Sequence, residues 1–178
     1  MTYKVDICGR IEELPVLPLP SGEKIAFFNL HGNVPLTEHC AAKMAERLDR
    51  SRTDVLITAE SKGLQLTHCL ARILGMDFYA VARKSKKLYM QDGISATARS
   101  ITTAGAQTLY LSAHDAALLR GKRVAVIDDV ISTGGSLSAL ETLVETAGGT
   151  VTEKACVLAE GDAAKRGDII FLASIPIL

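Results

Sequence analysis

The segment from Val124 to Leu137, VAVIDDVISTGGSL, limits the possible fold more than any other part of this chain. It begins with aliphatic residues, continues through Asp128 and Asp129, and enters a loop of small and hydroxyl residues before a helical pattern begins. An aliphatic run without polar alternation is typical of a strand buried on both faces of a parallel sheet. We therefore expect a strand, a loop and a helix in direct succession, which is the repeating unit of α/β domains.

The same succession of strand and helix patterns occurs along most of the chain. Strand patterns are predicted at 24–30, 54–59, 78–83, 123–129, 150–160 and 168–178. Helix patterns are predicted from Thr37, which would be the N-cap, from about Gly63 and from near Ser136. These patterns indicate an α/β domain with a mostly parallel sheet, in which ligands bind beyond the carboxyl ends of the strands.

Two segments depart from this alternation. Residues 84–113 are polar and hold two short alternating segments, which are typical of a hairpin arm. Residues 14–22, LPVLPLPSG, contain three prolines, which would interrupt a helix or a central strand. We expect this second segment to be an extended edge or a connector.

Composition excludes several classes of protein. With 178 residues the chain is long enough for one domain, 1–178, and 20 Lys and Arg against 20 Asp and Glu give no electrostatic footprint for nucleic acid. No apolar run approaches the roughly 20 residues needed to cross a bilayer. The four cysteines form no CxxC pair and the four histidines form no HExxH, so neither a disulfide scaffold nor a dedicated metal site is expected. These features favour a cytoplasmic protein.

The loop that follows Asp129 has the chemistry of an anion cradle. Glycines let the backbone approach a ligand closely, and the free N–H groups at the start of the next helix attract an anion with the help of the helix dipole. The loop holds no Lys or Arg, so backbone and hydroxyl donors would bind a phosphate. The predicted phosphate-binding residues are Ser132, Thr133, Gly134, Gly135 and Ser136.

Asp128 and Asp129 require a different partner, because carboxylates repel a bound phosphate. Ionised carboxylates accept strong hydrogen bonds, so the hydroxyl groups of a sugar suit them. A phosphate cradle beside two such acceptors fits a ribose 5-phosphate that lies across the loop. The sequence contains neither GxxxxGK[ST] nor GxGxxG, so an NTPase and a dinucleotide-binding protein have no support.

At these residues the chain resembles the type I phosphoribosyltransferases. Residues 124–137 are similar to that family's motif for 5-phosphoribosyl 1-diphosphate (PRPP), in which aliphatic residues precede two acids, two variable residues and Thr-Gly-Gly-Ser/Thr. The resemblance extends from about Lys24 to the C-terminus and is greatest for the adenine and xanthine enzymes. It implies a mostly parallel twisted sheet flanked by helices, a flexible catalytic arm at 84–113, and a small hood formed by N-terminal and C-terminal residues, with 1–23 as its first part.

The resemblance also implies further site residues. Residues 59–63, AESKG, match the family's pyrophosphate loop, where a cis peptide is frequent and would lie at or near the Glu60–Ser61 bond. Residues 82–90 match an Arg-Lys segment at a dimer interface, whose basic side chains would reach the partner's site. Phe27 or Phe28 would stack on a base, although alternation on a strand would bury one of them. The implied pyrophosphate-binding residues are Glu60, Ser61, Lys62, Gly63, Arg83, Lys84 and Lys87.

The reaction implied by the family joins a purine nitrogen to C1 of PRPP and releases pyrophosphate. Asp128 and Asp129 would hold the ribose hydroxyls directly or through water, and one of them would help to deprotonate the base. Mg²⁺ would be the cofactor, held mainly through substrate oxygens, and no dedicated protein metal site is expected. The implied partners are PRPP, a purine base and a second copy of the chain in a homodimer, with no nucleic acid and no membrane.

Three departures from the adenine enzymes leave the base open. Asn29 follows Phe28 where those enzymes have a basic residue, the arm lacks their acidic segment, and residues 159–168 lack bulky groups that could cover a base. Adenine is preferred, and the alternatives are a xanthine- or guanine-specific enzyme and a non-catalytic protein that senses PRPP. A regulator with a helix-turn-helix domain is disfavoured, because residues 1–23 are too few to hold one.

Overall fold

A computed structural model of the protein describes residues 1–19, 22–98 and 107–178. Its strands are β1 (Thr2–Ile7), β2 (Arg10–Pro18), β3 (Lys24–Ala26), β4 (Val55–Ala59), β5 (Tyr79–Ala82), β6 (Ile94–Ala98), β7 (Gln107–Leu111), β8 (Arg123–Ile131), β9 (Thr150–Glu160) and β10 (Ile170–Ile175). Its α-helices are α1 (Val34–Ala45), α2 (Gly63–Ile73), α3 (Ala113–Leu119) and α4 (Gly135–Thr146). Short 3₁₀ helices cover Arg50–Arg52 and Gly161–Lys165.

Five strands form a parallel sheet in the order β10-β9-β8-β4-β5. All residues of β4 are buried, as expected for a strand covered on both faces. Apolar side chains of α1 and α2 pack on one face of the sheet, and those of α4 pack on the other face. The sequence-based expectation of an α/β domain with a parallel sheet is confirmed.

The N-terminal residues form a second, antiparallel sheet in the order β1-β2-β3. The prediction that 14–22 is an edge or a connector is wrong for its first five residues, which lie in the middle strand of this sheet. Pro15 is tolerated there because its carbonyl still accepts a hydrogen bond, from the Phe27 N–H at 2.8 Å. Pro20 and Ser21 lie outside the described residues.

Helix α1 begins four residues earlier than predicted. Its N-cap is Asn33, whose side chain accepts the Leu36 N–H, and Pro35 occupies the first turn, where proline needs no hydrogen-bond partner. Thr37, the expected cap, is instead buried and donates its hydroxyl hydrogen bond to the Asn33 carbonyl at 2.8 Å. The sequence Asn-Val-Pro was therefore the better signal for the start of this helix.

The strand predicted at 24–30 is also shorter than expected and ends at Ala26. The hairpin arm is confirmed over β6 and β7, which pair antiparallel and pack on α4. Its base is joined to the end of β5 by two hydrogen bonds between the backbones of Arg83 and Tyr110, at 2.7 and 2.8 Å. The arm residues 99–106, which include part of the predicted strand pattern, lie outside the described residues. In the described parts of the chain, no helix combines the length and the apolar character that a membrane span requires.

Candidate active site

The loop between β8 and α4 forms a cradle at the carboxyl end of the central sheet. Gly134 has a φ of +82°, a conformation that L side chains rarely adopt, and α4 begins at the next residue. A cavity of about 140 Å³ lies against this turn. It is lined by Asp128, Val130, Ile131, Ser132, Thr133, Gly134, Gly135, Ser136 and Leu137, so the structure brings all five predicted phosphate-binding residues together.

The two aspartates lie side by side at the end of β8. The Asp129 N–H donates to Asp128 Oδ1 at 2.9 Å, and Asp129 is only 7% exposed. Burial raises the pKa of Asp128, and the neighbouring Asp129 carboxyl raises it further. Among the described residues, Asp129 Oδ2 accepts no hydrogen bond, and the Lys62 ammonium lies 3.9 Å away as a loose ion pair. The hydrogen-bonding capacity of the acidic pair is therefore only partly satisfied, because Asp129 Oδ2 has no donor within hydrogen-bond distance among the described residues.

A second loop, between β4 and α2, lies beside the acidic pair. The Glu60–Ser61 peptide bond is cis, which confirms the expectation drawn from the family. Gly63 starts α2 in contact with β4, and a Cβ at this position would overlap the Thr58 hydroxyl. The tight packing explains why glycine, and not another small residue, stands at the start of this helix.

Glu60 is held by groups at the end of β5. The Lys84 N–H donates to its Oε1 at 2.7 Å, and Arg83 Nη1 donates to its Oε2 at 3.1 Å. Burial opposes the charged form, but these hydrogen bonds outweigh it and hold the pKa of Glu60 below its ordinary value. Glu60 is therefore an ionised positioning group in this state, and it carries no donor for pyrophosphate.

Lys62 connects the second loop to the acidic pair and to the aromatic segment after β3. Its ammonium lies 4.7 Å from the centre of the Phe27 ring and donates to the Phe28 carbonyl at 3.4 Å. Phe27 is half-buried, whereas Phe28 is 2% exposed and packs in the core with α1 and α2. The assignment of Phe28 to base binding is therefore wrong, because the chain leaves the sheet before Phe28 and turns its ring inward.

One cleft of about 320 Å³ unites these parts. It is lined by His31, Ala59, Glu60, Ser61, Lys62, Lys84, Asp128, Asp129, Val130 and Ser136. Of the other predicted pyrophosphate residues, Arg83 is paired with Glu60, and Lys87 is exposed and donates to Ser85 Oγ at 2.8 Å. Lys87 does not line the cleft of its own chain.

Two residues near the cleft were not anticipated from the sequence. The His31 ring lies 3.4 Å from Ser61 Oγ and 3.3 Å from the Gln65 amide nitrogen, which places it beside the second loop. Arg166, from the segment after β9, lies beside Gly134 of the cradle, close to where a side chain at this position would begin. Nothing in a single sequence distinguishes this histidine or this arginine from a surface residue, because their proximity to the site arises only from the fold.

The donor set fits Mg²⁺ of the kind that travels with a phosphorylated substrate. Among residues 1–19, 22–98 and 107–178, no group of three or more His, Cys, Asp or Glu is placed to hold a metal by itself. Mg²⁺ ordinarily keeps several waters and uses one or two carboxylates together with substrate phosphates. The unsatisfied Asp129 Oδ2 beside Asp128 provides such a pair of carboxylates.

The sheet order, the phosphate cradle and the neighbouring cis-peptide loop together define the type I phosphoribosyltransferase fold. Comparison with known proteins agrees. The family profile described as "phosphoribosyl transferase domain" matches residues 29–175, and the chain belongs to this family.

The individual relatives and solved structures to which the chain is similar include adenine phosphoribosyltransferases. The chain is 31% identical over 153 residues to the adenine phosphoribosyltransferase of Chloroflexus aurantiacus, covering 86% of this chain and 85% of the relative. It is 34% identical over 109 residues to that of Brachyspira hyodysenteriae, where the match spans 61% of each protein. The crystal structure of the adenine phosphoribosyltransferase from Thermoanaerobacter pseudethanolicus superposes with a TM-score of 0.76 at 26% identity, covering 91% of this chain and 95% of the other.

Proposed function

We propose that this chain transfers the 5-phosphoribosyl group of PRPP to adenine, giving a nucleoside monophosphate and pyrophosphate for nucleotide salvage. The observation that carries the proposal is the single cleft that joins Ser136, the acidic pair and the cis-peptide loop. PRPP carries a phosphate at one end and a diphosphate at the other, with a diol between them. The names of the relatives support adenine as the base.

In this proposal the phosphate cradle binds the 5-phosphate through its backbone N–H groups and hydroxyls. Asp128 and Asp129 accept hydrogen bonds from the ribose hydroxyls. Lys62, Lys84 and the amides of 61–63 bind the pyrophosphate, while Arg83 keeps Glu60 in position. The Glu60 N–H is already bound to the Ala82 carbonyl at 2.9 Å. These groups neutralise the leaving group as the bond between C1 and the diphosphate oxygen breaks.

In the chemical step one bond at C1 breaks, another forms at the same carbon, and one proton is transferred. The bond from C1 to the diphosphate oxygen breaks with its electron pair on pyrophosphate, and a bond forms between C1 and the base nitrogen. The proton on that nitrogen must leave, and Asp128 is suited to accept it because its pKa is raised by burial. Mg²⁺ held mainly through the substrate oxygens, with Asp129 beside them, would supply charge neutralisation for the diphosphate.

We further propose that 1–178 acts as one domain with two covering parts. The N-terminal segment 1–23 would form a hood near the base, with Phe27 as the aromatic that contacts the purine. The arm 84–113 would close over the cleft and exclude water, which would otherwise hydrolyse the activated sugar. Both roles suit a cytoplasmic enzyme that uses soluble substrates.

A homodimer is part of the same proposal. Lys87 lies away from the cleft of its own chain, and the next two residues, Leu88 and Tyr89, are 93% and 70% exposed. Apolar side chains beside a basic one are a common arrangement at protein interfaces. In the dimer, Lys87 would reach the pyrophosphate end of the partner's cleft.

A panel of bases tests the proposal. The protein is incubated with PRPP, Mg²⁺ and adenine, hypoxanthine, guanine or xanthine, and pyrophosphate release is followed. We expect release with adenine, and a combined Asp128→Asn and Asp129→Asn variant that folds normally should show none. If pyrophosphate is released only with hypoxanthine, guanine or xanthine, the substrate is a 6-oxopurine and the assignment of adenine is wrong. If the protein binds PRPP but releases no pyrophosphate with any base, the result favours a protein that senses PRPP.

A further inference from the structure

The phosphate cradle lacks a positive side chain of its own. Residues 132–136 contain no Lys or Arg, and the cleft lysines, Lys62 and Lys84, lie at the pyrophosphate end. The 5-phosphate of PRPP is close to a dianion at neutral pH. Backbone N–H groups and a helix dipole stabilise such a charge only in part. A cation near this end of the cleft would therefore strengthen binding.

Arg166 is placed to meet that need. It directly follows the 3₁₀ helix Gly161–Lys165, which connects β9 to β10 at the same edge of the sheet as the cradle. A Cβ built on Gly134 would lie 2.9 Å from Arg166 Nη1, so the guanidinium lies beside the left-handed turn of the cradle. The cavity wall itself is made by loop residues, so Arg166 lies at the rim of the cradle.

A neighbouring carboxylate fixes the orientation of this guanidinium. Arg166 Nε and Nη2 donate to the two oxygens of Asp168 at 2.9 and 2.7 Å. This bidentate pairing occupies one edge of the planar group. Among the described residues, Nη1 has no hydrogen-bond acceptor of its own, and it is the nitrogen that faces Gly134.

Lys154 and Glu141 extend the pair into a network of four charges. Lys154 Nζ also contacts Asp168 Oδ2, and it pairs with Glu141 of α4 at 2.8 Å. Asp168 is thus shared by two cations, and Glu141 balances the second of them. The same network joins α4, β9 and the Arg166 segment, so the guanidinium is attached to the helix whose N-terminus forms the cradle.

We propose that Arg166 is the cation of the phosphate cradle: Asp168 holds one edge of its guanidinium, and Nη1 stabilises the 5-phosphate of the bound ribose. The inference rests on the proposed function, because it takes the cradle as the 5-phosphate site. It adds a residue outside the sequence motif to the binding of that phosphate.

Separate binding measurements on the two ends of the cleft test this inference. Ribose 5-phosphate probes the cradle, and pyrophosphate with Mg²⁺ probes the second loop. We expect Arg166→Gln to weaken ribose 5-phosphate binding about tenfold, as for loss of one charge-assisted contact, and to raise KM for PRPP similarly. Pyrophosphate affinity should be unchanged, and Arg166→Lys should restore part of the loss.

Arg123→Gln is the matched control. Arg123 forms the same bidentate pair, with Asp54, at the opposite end of β8. It should leave both affinities unchanged. The dependence of ribose 5-phosphate binding on salt should be weaker in Arg166→Gln than in the control, because one positive charge is lost from the site.

Three results would overturn the inference: unchanged ribose 5-phosphate affinity in Arg166→Gln, an equal loss for both ligands, or no rescue by lysine. If Arg166→Gln fails to fold, Asp168→Asn gives the second test, since the released guanidinium should also weaken ribose 5-phosphate binding but by less. The proposed function is contradicted by a different result, namely that the unmodified protein binds neither ribose 5-phosphate nor pyrophosphate. If the unmodified protein is active and the Arg166 variants bind ribose 5-phosphate as tightly as it does, only the inference about Arg166 is contradicted.

Discussion

The acidic pair shows how a residue proposed to bind substrate can oppose stability. Asp128 lies partly buried beside another carboxyl, and the hydrogen bond that it accepts from the Asp129 N–H does not offset the burial and the neighbouring acid, which raise its pKa. An acid whose pKa is raised on folding contributes stability that is fully present below its ordinary pKa and is lost as the pH rises through the raised value. At neutral and alkaline pH the folded protein therefore bears a cost at this position.

Asp128→Asn should remove that cost. We expect the melting temperature to rise by about 2–4 °C for each kcal/mol recovered, with a larger gain at about pH 8.5 than at about pH 5. Pyrophosphate release should be lost in the same variant. Thermal unfolding at the two pH values measures the effect.

Asp54→Asn is the control for Asp128→Asn, because the pKa of Asp54 is lowered in the folded protein whereas that of Asp128 is raised. Hydrogen bonds from the Arg123 side chain, and then from its backbone N–H, lower the pKa of Asp54. Its contribution is present above the ordinary pKa and lost in acid, so this variant should melt lower than the parent at neutral pH. A fall in melting temperature for both variants would contradict the account of Asp128.

For single residues, the sequence predicted which side chains form the candidate site better than it predicted the direction in which each side chain points. The motif and its resemblance identified the cradle, the acidic pair and the cis bond at Glu60–Ser61. They could not separate Phe27 from Phe28, because the answer depends on where β3 ends. Arg166 carried no signal at all, since its position beside Gly134 joins residues 32 positions apart through the crossing from α4 to β9.

Among the elements, the start of α2 is packed against β4 so closely that Gly63 has no room for a side chain. Gly63→Ala should overlap the buried Thr58 hydroxyl and destabilise the protein by about 1–3 kcal/mol, as overpacking does. A double variant with Thr58→Ala should recover part of the loss, because the overlapping atom is removed. Thr58→Val keeps an atom in that position and should give no rescue. The test compares the melting temperatures of the parent, of Gly63→Ala and of the two double variants. Equal rescue by Thr58→Ala and Thr58→Val would contradict a steric cause.

The cap of α1 allows a second prediction for an element. Asn33→Ala removes the side-chain acceptor for the Leu36 N–H and should cost about 1 kcal/mol. Asn33→Asp or Asn33→Ser retains an acceptor and should remain close to the parent. Chemical denaturation gives the free energies of unfolding, and an undisturbed alanine variant would show that Thr37 can take over the cap.

The order and type of elements followed from local patterns, whereas several boundaries did not. Buried strands such as β4 and β8 are recognisable because aliphatic runs leave no other placement. The middle strand β2 was missed because its prolines suggest an edge, and the pairing of Pro15 through its carbonyl depends on a partner strand elsewhere in the chain. Such tertiary pairing is not encoded in local propensity.

For the whole molecule, the proposed exchange of Lys87 between subunits predicts complementation. Lys87→Ala should impair the partner's cleft, and Asp129→Asn should impair its own. When the two inactive variants are mixed and allowed to exchange subunits, each heterodimer should contain one intact site, and pyrophosphate release should recover to about a quarter of the parent value at equal, random mixing.

A matched mixture of Asp129→Asn with Asp128→Asn should not recover, because both changes lie in the same cleft. Recovery in neither mixture, together with a monomeric mass in solution, would contradict the proposed dimer. Leu88→Glu should weaken dimer formation, which sedimentation measures. Leu88 is an apolar side chain of the proposed interface that is 93% exposed in the single chain, and the substitution replaces it with a charged one.

The cradle and the cis-peptide loop grow from β8 and β4, which are hydrogen-bonded neighbours in the sheet with Ile57 opposite Val126. The spacing between the two proposed anion sites would therefore depend on this pair of strands, from which both loops extend. A ligand with phosphoryl groups at both ends binds such a protein as a chelate does, because engaging the first end brings the second to a high effective concentration. Fragments that carry only one of these groups lack that advantage. If the proposed sites are correct, the paired strands would therefore make the protein select its ligands by length.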